Sequence, residues 1–194
     1  MDSKNLRSLM RQRRQSLTRR QQQIASAGLA VQLCRLPEFR YRKNIAFYLA
    51  NDGEIDPQFA MGIADRAGKH CYLPVLHPLK QNRLHFVRHT SGDCLEANRY
   101  GILQPPLKGN RIASMHRLDL ILLPLVAFDA RGNRLGMGKG FYDRTLSNRA
   151  AHTRLIGLAH SCQETDNIAR QSWDIPLDAI VTECNTIHIR PEKG

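Results

Sequence analysis

The run LDLILLPLVAF (118–128) restricts the possible folds more than any other part of this chain. It has too few polar residues to alternate between core and solvent. Pro124 interrupts it at the length of a strand, short of the roughly 18 apolar residues a membrane span needs. A strand with two apolar faces must be covered on both, as central strands of mostly parallel sheets are. NIAFYLA (44–50), HCYLPVL (70–76), RLIGLAH (154–160) and AIVT (179–182) read as further buried strands, and RLHFVRH (83–89) alternates like a half-exposed one.

Helical patterns lie between these runs. Leu6, Leu9, Met10 and Leu17 share a face if Arg13 snorkels, and Thr18 with Gln21 forms a capping-box pattern that restarts the helix. Ile24, Ala27, Gly28 and Val31 mark a second stripe, which Pro37 stops. Asp56 and Pro57 open a helix over 57–67 with Phe59, Ile63 and Ala67 inward, and another helix is expected between Phe141 and Asn148. Residues 90–117 read as loop and turn. Strand–helix alternation predicts an α/β fold: one domain over 1–194 with a mostly parallel central sheet and helices on both faces. A basic helical segment occupies 1–36 and an α/β core 44–183.

Of the net charge of +12, most is N-terminal. Residues 1–43 hold 11 Lys/Arg against two acids, whereas the remainder holds 18 against 15. Nucleic-acid or ribosome contact, a transit peptide, or a helix serving a polyanionic ligand would each suit such a segment. Nothing near Met1 forms an apolar h-region. Five scattered cysteines make no C-x-x-C pair, so the expected location is cytoplasmic, without a membrane anchor or disulfide framework. No apolar seam is left over, which favours a monomer.

The stretch RLGMGKGFYDRTL (134–146) follows the central strand after the turn DARGN. Gly136, Gly138 and Gly140 let backbone approach an anion closely, and Lys139, Arg134 and Arg144 add positive charge. The dinucleotide fingerprint fails because Phe141 stands where its third small residue belongs. The Walker pattern fails because Gly140 follows Lys139. A phosphate site is the better reading of the whole stretch. Asp143 is either a first-turn acid complementing its helix or a Mg²⁺ ligand; Asp174 is either a turn residue or a second ligand. Glu54, in NDGEID, reads as a solvated loop acid or as a group facing a substrate's polar edge.

LPLVAFDARGNRLGMGKGFYDRTL (123–146) resembles the signature of the 5-formyltetrahydrofolate cyclo-ligase family. RQRRQSLT, AFYLANDGEID with LPVL after it, and WDIPLDAIVTE agree with the family in order and spacing. The resemblance implies ATP- and Mg²⁺-dependent closure of 5-formyltetrahydrofolate to 5,10-methenyltetrahydrofolate, with ADP and phosphate released. It implies that Arg134, Leu135, Gly136, Met137, Gly138, Lys139, Gly140, Phe141 and Tyr142 form the nucleotide loop, with Lys4 and Arg7 contributing from the N-terminal helix. It also implies folate contacts at Leu49, Glu54 and Met137 through Phe141, and metal ligands at Asp143 and Asp174. In this reading Lys139, Arg134 and Arg144 carry the catalytic charge. The family's usual lysine position is Ser3 here, with Lys4 one step later, and Phe141 stands where many members have tyrosine. The partners implied are small molecules, reduced formylfolate and ATP, rather than nucleic acid. The alternatives are a basic RNA- or ribosome-binding protein and another small ATP-dependent, kinase-like enzyme.

Overall fold

A computed structural model describes residues 2–169, 171 and 173–189, so both ends of the expected 1–194 unit lie outside the described residues. Helix α1 (Ser3–Gln15) starts at Asp2, whose carboxylate accepts from the Asn5 amide, and stops at Ser16. Helix α2 (Arg19–Arg35) restarts at Thr18 with both halves of the capping box formed. Pro37 then opens the short α3 (Pro37–Tyr41).

The buried stripe of α2 is Ala25, Leu29, Ala30 and Leu33, while Ile24 and Val31 face solvent. The expected stripe is thus one residue out of phase. The i, i+4 series 25–29–33 offers longer aliphatic side chains to the sheet than the 24–28–31 series does.

Next come β1 (Asn44–Ala46), α4 (Gln58–Arg66), β2 (His70–Leu76) and β3 (Leu84–His89). Helix α4 buries Ala60 and Ala64 and leaves Phe59 outward, contrary to the expected inward Phe59, because small residues let α4 lie close to α2 and the sheet. Residues 90–117 contain more than loop: β4 (Glu96–Ala97) and β5 (Leu103–Gln104) form a hairpin, and β6 (Ile112–Ala113) pairs with β3. Strands this short carry no readable period.

The chain continues through β7 (Leu120–Pro124), β8 (Ala127–Phe128), β9 (Arg134–Leu135), α5 (Phe141–Leu146), β10 (Arg154–Leu158), β11 (Ala179–Val181) and β12 (Thr186–His188). Eight of these strands form one sheet in the order β12-β11-β10-β7-β1-β2-β3-β6. The five central strands are parallel, and both edges are closed by antiparallel neighbours.

Alternation sorts the core. Ile45, Leu120, Leu122, Ile156 and Ala179 face α2, α3 and α4, whereas Ala46, Ile121, Leu123, Leu155 and Ile180 face the side carrying Leu146 of α5. The apolar run at 118–128 is central, as its two-sided hydrophobicity requires. A separate cluster, formed by Leu6 and Met10 with Val126, Ala127, Leu135 and Ile168, docks α1 on the β8–β9 hairpin. This places the basic helix beside the glycine-rich loop. Among the described residues no helix is long and apolar enough to cross a membrane.

Candidate active site

Strand β1 has β2 on one side and β7 on the other, and the chain winds outward from it in both directions. Such a switch point leaves a crevice at the carboxyl ends of the strands. A cleft of about 1230 Å³ opens there, floored by the ends of β1, β2 and β7. Ser3 and Arg7 of α1, the tip of the β4–β5 hairpin, loop 134–144, and Ala169, Gln171, Trp173, Asp174 and Ile175 wall it.

Two of the three loop glycines are required by conformation. Gly138 (φ 86°) and Gly140 (φ 66°) lie in the left-handed region, which side chains other than glycine's adopt at a cost. Gly136 does not, and a Cβ there would meet open space. Its carbonyl instead accepts a hydrogen bond from Arg7 Nε at 2.8 Å. Arg144 Nη1 donates to the Lys139 carbonyl at 2.8 Å. Arg134 donates to the Ile175 carbonyl and pairs with Asp143. Arg134 and Arg144, expected to face phosphate together with Lys139, here use their forked guanidinium groups to brace the loop.

Lys139 is exposed, with its ammonium 3.9 Å from the centre of the Tyr100 ring. Tyr100 meets Phe141 edge-on at 6.2 Å. Leu135 is buried under α1 and anchors the loop, while Met137 is half exposed at the cleft. Tyr142 packs against the core, where burial and the nearby Glu54 carboxylate push its phenol above the ordinary value.

Leu49 and Glu54 enter from the segment after β1. Glu54 is not a solvated loop acid. Its side chain is 13% exposed, and its Oε2 accepts from the Asn51 amide at 3.1 Å. Burial raises its pKa to about 7, with Arg14 opposing the shift.

Next to it, Asp52 is bound bidentately by Arg11 at 2.7 and 3.0 Å and by Arg14 Nη2 at 2.8 Å. The Arg11 hydrogen bond leads the causes that hold the Asp52 carboxyl down at about 2, with Arg14 assisting against burial. Thus Arg7, Arg11 and Arg14 are committed to contacts inside the protein. Ser3 and Arg7, at i, i+4, share the helix face that lines the cleft, whereas exposed Lys4 is about 100° round from Ser3 and is not part of the lining.

Asp143 and Asp174 both line the cleft. Asp143 Oδ1 accepts from the Ile175 amide at 3.4 Å, which brings the residue after Asp174 against it. Asp174 Oδ2 is held by the Gln171 amide at 2.9 Å. Among the described residues no group of three or more His, Cys, Asp or Glu is placed to hold a metal. Two carboxylates lining one cleft nonetheless fit Mg²⁺, which takes one or two protein oxygens and completes its octahedron with phosphate and water.

Arg14, Asp52 and Tyr100 were not singled out from sequence. Arg14 sits in a charged run that reads as solvated. Tyr100 sits in a stretch without period, although a Tyr-Gly pair beside a turn is a legible signal of a hairpin tip.

The chain is similar to known proteins over almost its whole length. A family model described as the 5-formyltetrahydrofolate cyclo-ligase family matches residues 1–183. The 5-formyltetrahydrofolate cyclo-ligase of Escherichia coli (strain K12) is 42% identical over 175 residues, covering 90% of this chain and 96% of that protein. The Mus musculus cyclo-ligase is 28% identical over 189 residues, covering 93% of each. The fold is similar to the NMR structure of Aquifex aeolicus 5,10-methenyltetrahydrofolate synthetase, with TM-score 0.84 and 32% identity over 100% of this chain and 96% of that one. A 5,10-methenyltetrahydrofolate synthetase from Mycoplasma pneumoniae aligns with TM-score 0.71 and 25% identity, over 94% of this chain and 99% of that one. With a match spanning almost its whole length, the chain belongs to the 5-formyltetrahydrofolate cyclo-ligase family.

Proposed function

We propose that the protein closes 5-formyltetrahydrofolate to 5,10-methenyltetrahydrofolate at the expense of ATP, with Mg²⁺, in this cleft. The observation that carries the reading is a family match from residue 1 to 183. That range includes the parts of the cleft wall on which the reading depends: α1, the Glu54 turn, the glycine loop, and Asp143 with Asp174.

The chemistry explains the parts. An N-formyl group is amide-like, and its oxygen cannot leave as oxide. The formyl oxygen therefore takes up the γ-phosphoryl group as the bond to ADP breaks, giving an imidate-type phosphate. N10 then attacks the activated carbon and loses its proton to solvent, and the C–O bond breaks with inorganic phosphate as leaving group. No protein nucleophile is needed. Alignment and charge neutralisation are needed.

Lys139 is the mobile cation for the transferring phosphoryl group. It exchanges the π-face of Tyr100 for phosphate oxygens once the nucleotide is bound. Arg7 and Arg144 keep the loop in the shape that points its backbone into the cleft. Asp143 and Asp174 would hold the divalent cation, which would supply positive charge to offset that of the triphosphate. Glu54 accepts hydrogen bonds from pterin amino and ring N–H groups, and Leu49 with Phe141 supplies apolar contact to the ring system.

The test is direct. Purified protein is mixed with Mg·ATP and 5-formyltetrahydrofolate, and the absorbance of the methenyl product is followed. Formation of that product, stoichiometric with ADP and absent without ATP, is expected. ADP formation indifferent to the folate would remove the reading.

A further inference from the structure

Arg14 is fully buried, an unusual position for a guanidinium group that lies outside the cleft lining. Its donors are spent on one turn and one strand end. Nε donates to the Asp52 carbonyl at 2.8 Å, Nη2 to Asp52 Oδ2 at 2.8 Å, and Nη1 to the Leu125 carbonyl at 3.3 Å. Nη2 also stands 3.9 Å from Glu54 Oε1. Asp52 is shared between Arg11 and Arg14, and Glu54 is a second carboxylate kept in the field of Arg14.

The turn is backbone-strained, since Asp52 is a non-glycine residue at φ 54°. Arg14 is therefore fastened to a conformation that the turn would not adopt cheaply by itself. Two helical turns earlier on the same face of α1, Arg7 holds the Gly136 carbonyl. One helix of 13 residues thus grips the glycine loop at one end and the Glu54 turn at the other.

We propose that Arg14 is a positioning residue that holds the turn carrying Glu54 so that its carboxyl group faces the folate, and that α1 thereby sets the folate side and the nucleotide side of the cleft in one register. This rests on the proposed function. Other groups face Glu54 as well: Asp52 from its own turn, Tyr48 from the segment after β1, and Tyr142 from α5. His160, after β10, lies against Gly53 and Arg14. Among the described residues, Arg14 is the cation that acts on Glu54. Burial pushes Glu54 towards the neutral form and Arg14 opposes it, so removing Arg14 moves ionisation to higher pH.

The experiment is the pH dependence of kcat/KM for 5-formyltetrahydrofolate in wild type, Arg14→Met, Arg14→Lys, Arg11→Ala and Glu54→Gln. Wild type is expected to gain activity through a limb near pH 7, and Glu54→Gln to lose that limb. Arg14→Met should move the limb up by about one pH unit, and raise KM for the folate about tenfold at neutral pH but far less at alkaline pH. Arg11→Ala removes an equally short contact to Asp52 without facing Glu54, and should leave the limb in place. Arg14→Lys, which is read alone if Arg14→Met fails to fold, should keep the wild-type limb and raise KM through its missing fork.

An unmoved limb in Arg14→Met, a wild-type KM in Arg14→Lys, or an intact limb in Glu54→Gln would overturn the assignment. Absence of any methenyl product from wild type would instead overturn the proposed function, so the two failures are distinguishable.

Discussion

The Lys139 ammonium lies over the ring of Tyr100, 3.9 Å from its centre, although the two residues are on different loops. A cation held on a π-face is kept near its working position while remaining displaceable, because the attraction is only about 0.5–1 kcal/mol at an exposed site. Tyr100→Phe should therefore behave like wild type. Tyr100→Leu should lose about two- to fivefold in kcat/KM for ATP. Equal values in all three proteins would show that the contact has no role in turnover.

Lys139→Ala removes charge from an exposed loop position and touches no core contact. Turnover should fall by about 10²-fold, as for loss of a transition-state charge donor, with the melting temperature unchanged. Wild-type turnover from this variant would remove Lys139 from the phosphoryl-transfer step.

Glycines 136 and 138 should differ in their tolerance of alanine. Gly138→Ala forces a side chain into the left-handed region, at a cost of about 1–2 kcal/mol, and places its Cβ 3.5 Å from the Arg7 guanidinium. Gly136→Ala carries no such strain, and its Cβ meets open space. Steady-state kinetics should show a large loss for the first and a small one for the second. The reverse order would mean that the loop's working conformation differs from this one.

Asp143→Asn should raise the Mg²⁺ concentration needed for half-maximal activity, since Mg²⁺ prefers carboxylate oxygen to amide oxygen. An unchanged metal titration would leave Asp143 its pairing with Arg134 and its hydrogen bond from the Ile175 amide.

Asp52 makes the fold acid-sensitive in a defined window. Its carboxyl is lowered from 3.8 to about 2, so its stabilisation is complete above the unfolded value and is lost as pH falls through the folded one. Chemical denaturation should show about 2 kcal/mol of stability lost between about pH 4 and pH 2 in wild type, and that component missing in Asp52→Asn. An identical acid profile in both proteins would contradict the ion-pair account.

The sequence carried the sheet more clearly than the site. The run 118–128 could be read because two apolar faces demand a central strand, and the capping box at Thr18 because its chemistry is local. The orientation of α2 and α4 could not be read, since Ile24 and Phe59 look like core residues until the small residues beside them are seen to permit closer packing. At the site, the glycine loop stood out by composition. The bracing by Arg7, Arg134 and Arg144 did not, because those contacts join residues up to 129 positions apart. Arg14 was invisible for the opposite reason: it lies among neighbours of the same charge that do face water.

The measurement closest to the central claim is a crystal structure with Mg²⁺ and a non-hydrolysable ATP analogue. The account predicts the triphosphate against backbone 136–140, with Lys139 moved from Tyr100 onto a phosphate oxygen and the metal between Asp143 and Asp174. A triphosphate bound elsewhere, with Lys139 still on the Tyr100 ring, would contradict it.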